Sequence, residues 1–145
     1  MVRYETIKTT FWEEPDMQDW SPDAKLLYAY LLTSPVSHGI TGVYPITDRT
    51  IAHHTNLRPT RITKAFNNIG LRVRRYPESW LWIVAMFKHR CASPNHYKGA
   101  CHYLRVRVPD LIVVDFVAHY GSSDLVQTYV AKGSPYQGAW EGLCS

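Results

Sequence analysis

The chain has 145 residues, 46% hydrophobic and 19% charged, a composition that supports a folded core and excludes global disorder. Its net charge is +4, but twelve of its 16 Lys and Arg residues lie between Arg49 and Arg107, with Glu78 as the only acid there. That segment therefore carries +11, against −4 for residues 1–48 (three basic, seven acidic) and −3 for residues 108–145 (one basic, four acidic). Such a concentration is typical of proteins that bind nucleic acid.

The sequence predicts a cytoplasmic protein with no membrane partner. No apolar run reaches the ~20 residues that span a bilayer, and the N-terminus lacks the apolar segment of a signal peptide. Three cysteines at irregular spacing do not predict a disulfide framework, which favours a reducing compartment.

Residues 1–20 predict an arm that packs its aromatic rings onto the body, namely Tyr4, Phe11, Trp12 and Trp20. Ser21 and Pro22 predict the start of a helix, as N-cap and first helical residue, and the helix should stop before Pro35. Its predicted apolar stripe is Leu26, Leu27, Tyr30 and Leu31.

A short strand is predicted from Gly42 to Ile46, followed by a helix over residues 48–55 that Thr47 caps and that buries Ile51 and Ala52. Asn56 suits a tight turn because asparagine tolerates positive φ. A third helix is predicted from Pro59 to Ile69, closed by Gly70. Its predicted buried positions are Ile62, Ala65, Phe66 and Ile69.

Residues 71–76 alternate between two faces, with Leu71 and Val73 on one of them. A turn at 77–79 and a strand from Trp80 to Phe87 complete a predicted hairpin. Helix, strand, helix, tight turn, helix and hairpin is the order of a winged helix-turn-helix. The expected fold class is therefore α+β, mainly helical, with extra C-terminal helices.

Two further helices are predicted, over residues 95–103 and 109–120, although the β-branched run at 112–114 equally suits a strand. From residue 132 onward, Gly, Ser and Pro predict an irregular tail. The expected organisation is one domain over residues 1–131 and a tail over 132–145.

A helix-turn-helix reads double-stranded DNA by placing its second helix in the major groove. The residues predicted to contact bases are Thr60, Arg61, Lys64, Asn67 and Asn68, and those predicted to hold phosphates are Arg58, Arg72, Arg74 and Lys88. The alternative is that they form an ordinary solvated face. The order of elements together with the +11 segment favours DNA contact.

Several dispersed segments resemble phage-encoded replication initiator proteins in content and order. They are residues 10–15 (TFWEEP), 21–35 (SPDAKLLYAYLLTSP), 42–44 (GVY), 80–83 (WLWI), 87–89 (FKH) and 94–99 (PNHYKG). The resemblance implies an N-terminal winged-helix domain that binds origin DNA and helps load the replicative helicase. The chain departs from that pattern at Asn56, where glycine is usual, and at Arg61 and Lys64, where relatives are more acidic.

Other functions are weighed against DNA binding. The cluster of His89, Cys91, His96, Cys101 and His102 lacks the paired spacing of a zinc site, and no cofactor is expected. Neither a nucleophile–base pair nor a GxxxxGK loop indicates an enzyme. A transcription regulator, or a small phage protein that binds and inhibits a host protein through its basic face, stays an alternative. The acidic flanks also suit a homodimer.

Overall fold

The computed structural model describes residues 2–131 and 133–144, so Lys132 and Ser145 of the predicted tail lie outside the described residues. Within that range the chain is mainly helical with a small antiparallel sheet, the α+β composition that was predicted. The helices are α1 (Pro22–Thr33), α2 (Asp48–Thr55), α3 (Pro59–Ile69), α4 (Met86–Arg90), α5 (Pro94–Val106), α6 (Asp110–Tyr120), α7 (Asp124–Val130) and α8 (Gln137–Cys144). The strands are β1 (Val43–Pro45), β2 (Val73–Arg75) and β3 (Trp80–Ile83).

The chain divides into two compact units, residues 1–86 and residues 87–145. The sequence predicts one domain over residues 1–131 and a tail over residues 132–145. No helix in the part of the chain that the structure describes is both long and apolar enough to cross a membrane.

Helix starts in both units follow local side-chain chemistry. The hydroxyl of Ser21 accepts a hydrogen bond from the Ala24 backbone N–H at 3.1 Å, and that of Thr47 accepts one from Thr50 at 3.1 Å. Ser93 and Ser123 cap α5 and α7 in the same way. Each cap satisfies a backbone donor that the first helical turn leaves without a partner. The starts of these helices can therefore be predicted from the sequence.

The core of the first unit lies between α1, α2, α3 and one face of the sheet. The predicted buried set of α3 is confirmed: Ile62, Ala65, Phe66 and Ile69 are all buried. The prediction for α1 was partly wrong, because the helix buries Ala24, Leu27, Tyr28 and Leu31, while Leu26 is 46% exposed. Tyr28 belongs to the buried face of α1, where the Phe11 ring of the N-terminal arm stacks on it with ring centroids 6.0 Å apart.

The arm itself forms two short 3-10 turns, Thr9–Glu13 and Pro15–Met17. Phe11 and Trp20 are buried, as predicted. Tyr4 and Trp12 are not, since their side chains are 84% and 62% exposed. The prediction that all four rings pack onto the body is therefore wrong for these two.

The sheet has the strand order β1-β3-β2, with both pairs antiparallel. Tyr44, Leu81 and Ile83 face the core of the first unit. Arg74 lies opposite Trp82 on the other face. The hairpin turns at Glu78 and Ser79, whose φ angles of 62° and 65° are in the left-handed region.

Two predicted boundaries around the sheet need correction. Leu71 is 80% exposed and lies in a 3-10 turn, Gly70–Arg72, outside β2. The strand predicted from Trp80 to Phe87 ends at Ile83, and α4 follows a two-residue turn. Met86 and Phe87 at the start of α4 are both buried.

The second unit has an aromatic core. Phe87, Phe116 and Tyr120 lie with ring centroids 5.0–5.1 Å apart, and Trp140 stacks on Tyr97 at 6.3 Å. Burial of Ile112 and Val113 beside Phe116 makes α6 a helix despite its β-branched residues. Trp140 likewise anchors α8, where an irregular tail was predicted.

Candidate nucleic-acid interface

Helix α3 presents a polar face directly opposite its buried one. Thr60, Thr63, Lys64 and Asn67 recur at helical spacing, and all four are exposed. The helix starts at Pro59, after the left-handed turn at Asn56, whose φ is 61°. Short hydroxyl and amide side chains with a central lysine can approach base edges. The face covers about two turns of the helix, with a rise of about 1.5 Å per residue.

The flank of α3 next to α1 is engaged within the protein. Arg61 donates from Nε to Asp23 Oδ2 and from Nη2 to Asp23 Oδ1, both at 2.7 Å. The hydrogen bonds to Asp23, and then its charge, raise the pKa of Arg61 above its ordinary value. Asn68 Oδ1 accepts a hydrogen bond from the Ser21 backbone N–H at 2.7 Å. Two of the five predicted base contacts therefore already have partners at the N-terminus of α1.

Arg72, a predicted phosphate contact, binds the acidic N-terminal segment. Its Nη2 lies 2.9 Å from Asp16 Oδ2 and 3.8 Å from Glu14 Oε2, and its guanidinium is 5.8 Å from the centroid of Trp20. Burial lowers the pKa of Arg72, but hydrogen bonds with Asp16 and Tyr28 outweigh that effect and raise it overall. Arg72 thus ties the segment before α1 to the start of the hairpin.

The two arginines of β2 also contact the protein itself. Arg74 lies over the Trp82 ring at 5.0 Å, and its Nε is buried with no hydrogen-bond partner among the described residues. Arg75 bonds to Asp48 Oδ1 at 2.6 Å and lies 4.2 Å from the centroid of Phe66. A phosphate contact by Arg74 would therefore use its terminal nitrogens and share the guanidinium with the Trp82 ring.

Three cations on α2, on α3 and at the N-cap of α3 are exposed. They are Arg49 on α2, Arg58 at the N-cap of α3 and Lys64 on α3. Among the described residues no carboxylate lies within 4.0 Å of any of them. His53 and His54 on the same α2 are also exposed, and Tyr30 bonds to His54 Nδ1. These cations supply positive charge that no internal ion pair neutralises.

Lys88, the remaining predicted phosphate contact, lies on α4 in the second unit, where it is exposed. The second unit also exposes the basic side chains of Lys98, Arg105 and Arg107. The structure thus places the other eight predicted contacts in the first unit and Lys88 in the second.

Sequence reasoning missed the acids that form ion pairs with Arg61, Arg72 and Arg75. Asp16, Asp23 and Asp48 lie 56, 38 and 27 residues before their arginine partners. No local spacing signals such long-range pairs. The only hint is the concentration of acids before Arg49 beside a segment that carries almost none.

The His and Cys residues of the second unit bring together no metal site. Over the described residues, no group of three His, Cys, Asp or Glu side chains could hold a metal ion. Cys91 and Cys101 are free, buried thiols, and burial raises the pKa of each to about 11. At neutral pH both are protonated, so neither is an activated nucleophile.

Comparisons with known proteins found no match for this chain. No protein family model, no curated protein and no solved structure matches it.

Proposed function

We propose that residues 1–86 form a winged-helix module that binds double-stranded DNA through α3. The proposal is supported by the order α1-β1-α2-α3-β2-β3, by the sheet order β1-β3-β2, and by the left-handed turn at Asn56 between α2 and α3. In this arrangement α3 is the recognition helix and the β2–β3 hairpin is the wing.

One observation carries the proposal: α3 exposes a row of polar side chains, and three exposed cations with no ion pair among the described residues lie on α2 (Arg49), at the N-cap of α3 (Arg58) and on α3 (Lys64). Thr60, Lys64 and Asn67 would contact base edges, and Arg58 with Arg49 would hold phosphates on either side. Counterions released from those phosphates would make the affinity depend on salt.

The other predicted DNA contacts stay part of the proposal, but some of these side chains already have partners within the protein. Arg61 and Asn68 would reach the groove from the α1 flank while bonded to Asp23 and Ser21. Arg72 would have to exchange Asp16 for a phosphate, which weakens its expected contribution. Arg74 and Lys88 stay predicted phosphate contacts.

The resemblance to phage replication initiators makes origin DNA the proposed target, with a replicative helicase as the proposed protein partner. We propose a non-enzymatic role in the cytoplasm, with no cofactor. A transcription regulator would use the same module on a different DNA site, so the identity of the selected duplex separates the two.

The test is fluorescence anisotropy of a labelled duplex titrated with the full chain at several salt concentrations. We expect binding that weakens steeply with salt, with a slope corresponding to about four to seven phosphate contacts. K64A should weaken binding to the selected duplex by about 1–3 kcal/mol and relax the preference at the base pair that Lys64 contacts, whereas R58A should lower the salt slope by about one unit.

Lys98→Ala is the matched control, because it removes the same charge from an exposed position on α5 in the second unit. Equal effects of K98A and K64A would mean that net charge, rather than α3, governs binding. No binding at low salt would contradict the proposal and favour a host protein as the partner of the basic face, which a pull-down from host lysate would then identify.

A further inference from the structure

Asp23 and Arg61 form a two-point ion pair that leaves part of the guanidinium unused. An arginine has five N–H donors in a planar fork, and Asp23 takes one from Nε and one from Nη2. In the described part of the chain no acceptor engages the two N–H groups of Nη1 or the second N–H of Nη2. The edge formed by Nη1 and Nη2 therefore remains available.

That edge is the one that guanine needs. Guanine presents two acceptors in the major groove, O6 and N7, and arginine reads them with a bidentate pair of N–H groups. The carboxylate uses the side of the guanidinium that contains Nε, so both partners can bind the same planar group at once.

Exposure indicates which member of the ion pair meets solvent. The Arg61 side chain is 56% exposed, whereas that of Asp23 is 25% exposed. Asp23 is thus the more covered support, and Arg61 is the group presented outward. The neighbouring bond between Ser21 and Asn68 fixes a second side chain of the same flank at 2.7 Å.

We propose that Asp23 is a positioning residue that holds Arg61 so that its Nη1–Nη2 edge reads a guanine. The inference rests on the proposed DNA-binding function and adds a specificity determinant outside α3. A long side chain that is already oriented loses less rotamer freedom when it binds. The gain should therefore appear as discrimination at one base pair rather than as general affinity.

The experiment starts from a duplex that the full-length protein selects from a random pool. Each guanine of that duplex is replaced in turn by 7-deazaguanine, which lacks the N7 acceptor, and the dissociation constant is measured by anisotropy. For the wild type we expect one guanine at which replacement weakens binding by about fivefold or more. In R61A the penalty at that guanine should disappear.

D23N should lose most of the penalty at the same guanine while its salt slope stays that of the wild type. D23E keeps the charge but moves the carboxylate by one methylene, and it should also reduce the penalty. Asp48→Asn is the matched control, because it breaks the Asp48–Arg75 pair and should leave the guanine penalty intact. Thermal unfolding checks that each variant is folded.

Tighter binding of D23N to every duplex would mean that Asp23 competes with DNA for Arg61, and it would overturn the inference. A guanine penalty unchanged in both D23N and D23E would overturn it as well. Absence of duplex binding by the wild type would instead overturn the proposed function, a result that needs no Asp23 variant to be recognised.

Discussion

At the scale of single residues, the loop between α1 and β1 shows how burial sets a protonation state. His38 Nδ1 accepts hydrogen bonds from Thr41, from the hydroxyl at 2.7 Å and from the backbone N–H at 3.2 Å. Arg3 crosses the same loop, where Nη1 donates to the Ser37 carbonyl at 2.8 Å. Burial, and then the positive charge of Arg3, lowers the pKa of His38 to about 4.

We therefore expect acid to destabilise the first unit through His38. The folded protein binds this proton less tightly than the unfolded chain, whose His38 has the ordinary pKa of 6.5. The free energy of unfolding should thus fall as the pH decreases from about 6.5 to about 4, and be unaffected by His38 above pH 7.

The measurement is urea unfolding at pH 7 and at pH 4.5 for the wild type and for H38N, whose amide oxygen can accept from Thr41 but does not titrate. H38N should lose less stability between the two pH values. An identical loss in both proteins would mean that other groups govern the acid sensitivity.

At the scale of elements, the turn between α2 and α3 depends on backbone conformation more than on side-chain contacts. Asn56 ends α2 in the left-handed region, with φ 61° and ψ 17°, and its N–H bonds to the Ala52 carbonyl at 2.9 Å. Leu57 is buried immediately after it. The direction in which the chain enters α3 therefore depends on the left-handed backbone at Asn56.

Asn56→Ala should lower the free energy of unfolding by about 1 kcal/mol, because alanine tolerates the left-handed region less well than asparagine. Asn56→Gly should be neutral or slightly stabilising. Chemical denaturation of both variants, with the exposed Asn67→Ala of α3 as control, gives the comparison. Equal stability of N56A and N56G would show that the turn relaxes rather than bearing strain.

At the scale of the whole molecule, charge is polarised along the sequence but partly compensated in space. Arg61, Arg72 and Arg75 of the +11 segment pair with acids of the preceding −4 segment. Three other cations of the +11 segment in the first unit are exposed, namely Arg49 on α2, Arg58 at the N-cap of α3 and Lys64 on α3. Folding therefore neutralises part of the positive charge that the sequence concentrates in this segment.

The two compact units should also respond separately to loss of core packing. Trp140→Ala removes a ring that stacks on Tyr97 in the second unit, a change that typically costs about 3–5 kcal/mol. Ile62→Ala removes a buried aliphatic side chain of α3 in the first unit, a change that typically costs about 2–5 kcal/mol.

Native-state hydrogen exchange distinguishes the two effects. In W140A we expect faster exchange of the α5 and α8 amides with little change in α3, and in I62A the reverse. Equal acceleration of all helices in either variant would mean that the two units unfold as one cooperative whole.

The sequence alone determined the features that depend on neighbours along the chain. Capping by Ser21 and Thr47, the turn at Asn56 and the buried face of α3 each follow from hydrogen bonding, backbone sterics or helical periodicity within a few residues. Only the three-dimensional structure shows the features that depend on long-range contacts. Residues 86–90 and 137–144 are helical, and Phe87 and Trp140 are buried in the core of the second unit. The structure also pairs Arg61 with Asp23, 38 residues away, because only folding brings α1 and α3 together.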